Sequence, residues 1–349
     1  TVGGVTFSGA IGSNDVIEVL DDNSATTYNG TVNATTITLD DSSLANGVST
    51  FNEAVTATTV TIGAASAKAV NFKKNLTATT ITAANAADAI TFNGTSAQTI
   101  AGTIDGAAGI AGVVTSNNTA GTTFSGKLGN TQQLTKIDTA TGAKSVFSET
   151  VDTALFAVTG TGSATISKVS NVATNLTLAS GSTLILDDTI ADTNTIFTTT
   201  DTMVDGSVNA SSKIKMPSNF DNGETINLFV DVLGDDVGDI VTAVNSALVD
   251  TGLVDYVATA SEDDVVVTAT ETTDTAAAAT LSVTTNEAKA LRQARAAMVG
   301  TAADLDTLTE ALSLENGNST TDRTNFVDQV APQDDMISGS TFATKAMTG

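Results

Sequence analysis

In Thr35-Thr36-Ile37-Thr38-Leu39, apolar and polar positions alternate, so Ile37 and Leu39 share one face and Thr36 and Thr38 the other. The same period of two returns at Val60 and Ile62 and again around Ile81. β-Branched side chains at this period predict short strands with one buried face. The surrounding words recur as well: TVNATTITLDD at 31–41, TATTVTIGA from Thr56 and TATTITAAN from Thr77. Asn-Gly at 29–30 and 93–94, and Asp-Asp at 21–22 and 40–41, supply turns between the strands.

An aromatic residue opens each block, at Phe7, Tyr28, Phe51, Phe72, Phe92, Phe124 and Phe147. Successive steps are 21, 23, 21, 20, 32 and 23 residues. The long step holds GTIDGAAGIAGVV, a lengthened turn or an extra partial coil. A period of about 22 residues is too short for ankyrin or tetratricopeptide units, and the Leu ladder of a leucine-rich repeat is missing. One coil of two or three short strands cannot bury its own apolar face. Stacked coils can, with aromatic on aromatic and Ile on Val down one interior column. The reading is a right-handed parallel β-helix, mainly all-β, with the seven aromatics in equivalent interior positions. An antiparallel sandwich is the alternative. The faces predict that Ile37→Asp damages folding far more than Thr38→Asp.

Beyond about residue 165 the period blurs, but Ile166, Leu176, Leu178, Leu184 and Leu186 continue the strand pattern as far as DTNTIFTTTDTM. Met203 is the first Met, Pro217 the first Pro and Arg292 the first Arg, which marks a boundary near 200–215. ETINLFVDV (224–232) reads as a strand. Val237, Ile240, Val241, Val244 and Leu248 follow at helical spacing, with Asp235 or Asp236 to cap the helix and Gly252 to stop it. DYVATASEDDVVVTATE then reads as two strands around a Glu262-Asp263-Asp264 turn. From Asn286 the chain turns helical, with Leu291, Ala294 and Met298 on one face and a stop at Gly300. Thr301 with Asp304 resembles a capping box for a helix through Leu305, Leu308 and Leu312, and a last helix carries Phe326, Val327 and Val330 up to Pro332. The expected organisation is a β-helix over 1–205, a small α+β module over 206–285 and a helical C-terminal segment over 286–349.

Composition narrows the function. Thirty-nine Asp and Glu against 14 Lys and Arg give a net charge of −25, which argues against nucleic acid and anionic membrane surfaces as partners. An apolar content of 41% argues against a wholly disordered chain, despite its Ser/Thr richness. No apolar run is long enough to span a bilayer as a helix. The absence of Cys rules out a disulfide framework and fits export without proving it. A start at Thr1, with no initiator Met or signal peptide, points to a processed protein or a piece of a longer one.

Thr/Asn/Gly-rich coils followed by helical turns and the phrase TNFVDQVAPQDD resemble the C-terminal part of an autotransporter (type V secretion) passenger. In that family a Leu-x-x-Leu-x-Pro type phrase lies just before the outer-membrane barrel, and here Phe326, Val330 and Pro332 stand in for it. The match at the tail covers about 60 residues. The Phe-Asn-Gly and Ala-Thr-Thr phrases are similar in style to rickettsial-type surface-layer antigens of alphaproteobacteria. The resemblance implies an exported passenger, cut from a larger precursor, at the bacterial outer membrane or shed from it.

Without His or Cys there is no His-based triad, thiol nucleophile or usual zinc site. Carboxylate pairs remain, at 21–22, 40–41, 187–188, 235–236, 263–264 and 334–335. Glycoside hydrolysis needs such pairs, but the coils have no Trp, no Arg and only Tyr28 for stacking on sugars. The pairs read first as solvated turns. Adjacent carboxylates with turn carbonyls can hold Ca²⁺, although neither an EF-hand nor a Gly-Gly-x-Gly-x-Asp repeat occurs, so no metal ligands are named. Asn29, Asn33, Asn75 and Asn93 begin Asn-x-Ser/Thr triplets that arise by chance in so Thr-rich a chain. No catalytic or cofactor-binding residues are expected. The functional expectation is a cell-surface structural protein that associates with itself or mediates adhesion. The alternatives are a monomeric adhesin with a receptor site in the α+β module, a phage or surface fibre, and a polysaccharide-active enzyme.

Overall fold

The computed structural model describes residues 4–40, 47–107, 109, 111–200, 203–204, 206–232 and 236–298. The chain winds as a parallel β-solenoid, and each coil places one strand in each of two sheets. The first coils are β1 (Val5–Phe7) and β2 (Ile17–Asp22), β3 (Thr26–Tyr28) and β4 (Val32–Leu39), and β5 (Val48–Phe51) and β6 (Val55–Ile62). β7 (Ala69–Phe72) and β8 (Leu76–Ala83), then β9 (Ala89–Phe92) and β10 (Gln98–Gly106), repeat them. Next come β11 (Val113–Ser116) and β12 (Thr122–Phe124), β13 (Lys136–Thr139) and β14 (Lys144–Phe147), and β15 (Asp152–Val158) and β16 (Ser163–Ile166). β17 (Asn171–Leu178) and β18 (Thr183–Leu186), with β19 (Thr195–Thr198) and β20 (Lys213–Lys215), complete the series. Odd strands form the first sheet and even strands the second.

The Ala-Thr-Thr refrain is the corner of a bent strand. In β4, Val32 and Ala34 point inward, Thr35 and Thr36 break the alternation, and Ile37 and Leu39 point inward again. Pairing with β6 skips Thr35 at this point. A bend needs a small inward residue, and Ala34 supplies it. In β10 the corner falls at Gly102, where φ is +115° and a Cβ would sit 1.7 Å from the Ala78 carbonyl oxygen. Ile37, Leu39, Val60, Ile62 and Ile81 are all buried, as their alternation predicts.

The aromatics form one stack. Phe7, Tyr28, Phe51, Phe72, Phe92, Phe124, Phe147, Phe156, Phe197 and Phe229 follow ring on ring, with centroids 4.5–6.4 Å apart. Two expectations need correction. Phe7 is 42% exposed, because β1 is the edge of its sheet and only Tyr28 of β3 stacks on the ring. The other six expected aromatics are interior, but not equivalent: Phe92 pairs with Ser116 in the first sheet, whereas Phe124 pairs with Ile100 in the second. The 32-residue step therefore contains an extra half coil, and not just a lengthened turn. Beyond it the longer strands, β15 and β17, lie in the first sheet.

The first sheet runs on past residue 205. β21 (Thr225–Val230) pairs parallel with β19. α1 (Val237–Ala247) then leads to a hairpin of β22 (Val254–Ser261) and β23 (Asp264–Glu271), and β23 pairs antiparallel with β21. Side chains of the hairpin join the solenoid's hydrophobic core through Tyr256, Val265, Val267 and Ala269. α1 ends at Ala247, short of Gly252, because Leu248 turns extended and bridges Ile214 of β20. Asp236 is the N-cap residue but makes no side-chain cap bond.

Two helices close the described chain. α2 (Asp274–Leu281), an Ala-rich helix with no amphipathic period to announce it, is capped by Thr273, whose hydroxyl accepts from the Ala276 amide. α3 (Thr285–Met298) is the helix expected from Asn286. Thr284 and Glu287 form a reciprocal capping box at its start. Leu291 and Ala294 are buried as expected. The expected helices through Leu305–Leu312 and Phe326–Val330, with Pro332, lie outside the described residues.

Candidate functional surface

The acidic turn residues tie coils together. Asp22 accepts from the hydroxyls of Thr26 (2.7 Å) and Ser49 (2.6 Å), the latter one coil on. Asp40 accepts from the amides of Ala65 and Ser66, and Asp105 from those of Thr131 and Gln132. Asp188 accepts from the Ser218 amide and hydroxyl. Asp88 reaches the other way, to the Lys68 amide, while its second oxygen takes the Asn85 amide. The solvated-turn reading is thus wrong for Asp22, Asp40 and Asp188. In a solenoid the next coil stands beside each turn, so a turn carboxylate meets that coil's amides before it meets water. The reading does hold for Asp21, exposed and bonded to its neighbour Asn23. Asp41, Asp235, Asp334 and Asp335 lie outside the described residues.

Burial outweighs the amides around Asp88 and raises its carboxyl above the usual range. The Asp152 carboxyl is raised by burial too, with the Asp105 charge adding to it against the opposing bond from Gln133. Burial first, then the Asp22 charge, pushes the Tyr28 phenol up. Lys68 is buried, and its Nζ donates to the Ser24 carbonyl at 2.5 Å, spanning two coils. Nothing in AASAKAV announces this lysine as an interior tie. Asp88 and Asp105 were also missed; Asp88 closes its turn by accepting from the Asn85 amide three residues before it. Among the described residues no three carboxylates converge to hold a metal ion.

Two of the four triplet Asn are engaged in the coil ladder, while the Asn93 side-chain oxygen is buried without a hydrogen-bond partner. The Asn29 side-chain oxygen accepts from Asn52 at 2.6 Å, and that of Asn75 accepts from the Thr99 amide. Outer threonines line up from coil to coil, and the first-sheet strands β3, β5, β7, β9 and β11 carry no charged residue. On the second sheet, Thr36, Thr59, Thr80 and Thr103 form one in-register column, and Thr38, Thr61 and Thr82 the next. β4, β6 and β8 carry no charged residue at all.

Cations gather at the opposite end. Arg295 is buried and donates to Asp221 (3.0 Å) and to the carbonyls of Ser218 and Phe220. Arg292 bridges Glu271 (2.7 Å) and Asp274. These contacts fasten α3 over the end of the solenoid. The free edge of β22 is covered as well: Asn245 bonds both the amide and the carbonyl of Ala258, and Asp250 takes the Tyr256 amide. Among the described residues no helix is long and apolar enough to cross a membrane. No family model matches this chain, and no curated protein or solved structure gives a match, so the likeness to autotransporter passengers rests on the sequence phrases alone.

Proposed function

We propose that this chain is a structural element of a bacterial cell surface, a passenger or surface-layer subunit that works by association with copies of itself. The observation that carries this reading is the ladder itself: repeated coils, one continuous aromatic stack, and turn carboxylates spent on tying coil to coil. Such a body presents a long regular flank, and repetition suits recognition of another regular surface. The Asp pairs serve the coils, which favours a non-enzymatic role. No sugar should be released from acidic or neutral polysaccharides, as a reducing-end assay would show.

Copies at −25 repel one another over a Debye length of about 30 Å at ~0.01 M salt. Association should therefore need NaCl to screen the carboxylates or Ca²⁺ to bridge them. Light scattering during titration with NaCl, CaCl₂ and a chelator tests this. A chain that stays monomeric throughout, even when concentrated, would instead be a solitary adhesin.

A further inference from the structure

We propose that Asn29–Gly30 is a self-modification site, where the Asn29 side chain closes to a succinimide and reopens as a carboxylate, with Asn52 of the next coil as the assisting donor. Asn-Gly occurs five times in the sequence, at 29–30, 46–47, 93–94, 222–223 and 316–317. The pairs at 29–30, 93–94 and 222–223 lie wholly within the described residues. Glycine leaves the peptide nitrogen after each Asn uncrowded, so local sequence offers the same chemistry at every pair. The coils then separate them.

In the reaction the Gly30 nitrogen, its proton taken by solvent base, attacks Asn29 Cγ. A new N–C bond forms and negative charge moves onto Oδ1. The tetrahedral adduct then expels Nδ2 as ammonia. Water opens the ring at either carbonyl, giving aspartate or the isomer whose backbone runs through the side chain. The reaction needs a free nucleophile, a polarised carbonyl and an unrestrained leaving group.

Asn29 combines all of these. The Gly30 amide donates no hydrogen bond among the described residues. Asn52 Nδ2 donates to Asn29 Oδ1 at 2.6 Å, the atom on which charge develops as the ring closes. Asn29 is exposed, and its Nδ2 is bonded to none of the described residues. Asn52 stands in place because its own amide bonds to the Tyr28 carbonyl, which lays one turn on the next.

The other two pairs are blocked at the nucleophile. The buried Gly94 amide donates to Gln98 Oε1 at 2.8 Å, and Asn93 Oδ1 has no donor. The Gly223 amide donates to the Ala269 carbonyl at 2.9 Å, although Asn222 Oδ1 does accept from the Glu271 amide. A bonded N–H must give up its partner before it can lose its proton. The product at Asn29 bears on the fold. Gly30 lies so close to the preceding coil that a Cβ would sit 2.4 Å from the Gly9 carbonyl carbon. The isomer with the longer backbone therefore loosens the first coil, whereas plain aspartate only adds charge.

Peptide mapping by mass spectrometry tests the assignment, on the full chain aged in mildly alkaline buffer, native and denatured. In denaturant Asn29, Asn93 and Asn222 should convert at similar rates. In the native chain Asn29 should convert about tenfold faster than either of the others. Asn52→Ala should slow conversion at Asn29 about fivefold, the worth of one ordinary hydrogen bond. Asn52→Asp keeps the shape without the donor and should slow it as well, which guards against misfolding of a single variant. Native conversion at Asn29 no faster than at Asn93 and Asn222 overturns the site. An unchanged or faster rate in both Asn52 variants overturns the donor's part and assigns the reaction to fraying of the first coils.

Discussion

Phe92 and Phe124 touch edge to face, with centroids 5.4 Å apart and planes at 78°, although they close strands of opposite sheets. Within the same sheet the neighbouring pairs Phe51–Phe72 and Phe124–Phe147 lie at 10° and 4°. The rotated contact marks the half coil at which the aromatic column crosses the interior. Where Phe124 and Phe147 occupy the second sheet, the first sheet fills the vacated positions with buried Ser116 and Thr139. The narrow interior accepts one large ring per coil, from either side.

Truncating this column should cost most in its middle. Phe124→Ala removes a buried ring that Phe147 stacks on and Phe92 meets edge to face, a loss of about 3–5 kcal/mol. Phe7→Ala removes one exposed ring with a single stacking partner, worth about 0.5–1.5 kcal/mol. Denaturant unfolding of the two variants measures the difference, and equal losses would contradict the stack's open first ring.

The strand faces make a paired prediction. Ile37 is fully buried, so Ile37→Asp strands a carboxylate in the core at a cost of several kcal/mol. Thr38→Asp lies on the outer face and should stay within about 0.5 kcal/mol in dilute protein. Thermal melting of both, compared with wild type, reads the result directly.

Mild acid should stabilise this chain. Burial raises the Asp250 carboxyl, and burial with the Asp250 charge raises Asp255. Between the ordinary carboxylate value of about 3.9 and the raised folded value, the folded state holds a proton that the unfolded state has lost. Stability therefore falls as pH rises through that window and is greatest on its acidic side. Asp250→Asn keeps an oxygen for the Tyr256 amide and removes the charge acting on Asp255. The melting temperature of that variant should depend less on pH across the window than that of wild type.

Arg295 should govern α3 more than it governs the coils. Arg295→Ala removes charged hydrogen bonds to Asp221, Ser218 and Phe220, of the kind worth about 1.5–3 kcal/mol each. Hydrogen exchange should accelerate across α2 and α3 while amides of β5–β10 keep their protection. Uniform acceleration over the whole chain would mean that the helices are integral to the coil core.

The sequence by itself determined the coil. Alternation at Ile37, Val60 and Ile81, the recurring aromatic and the spacing near 22 residues are local properties, and a repeat cannot bury its apolar face except by stacking. The hairpin around Glu262 and the helix from Asn286 were legible for the same reason. Only the tertiary structure decided what depends on the next coil. Nothing local tells Phe124 that its strand belongs to the other sheet, because the half coil is set by the summed length of the turns since Phe92. Nor does a pair of aspartates reveal whether water or the following coil supplies its donors: Asp22 and Asp40 are buried ties, whereas Asp21 beside them is exposed. Lys68 passes for a surface lysine until the coil holding Ser24 is laid two rungs below it. The outer threonines likewise become columns only when β4, β6 and β8 are set in register, which lines up three similar words.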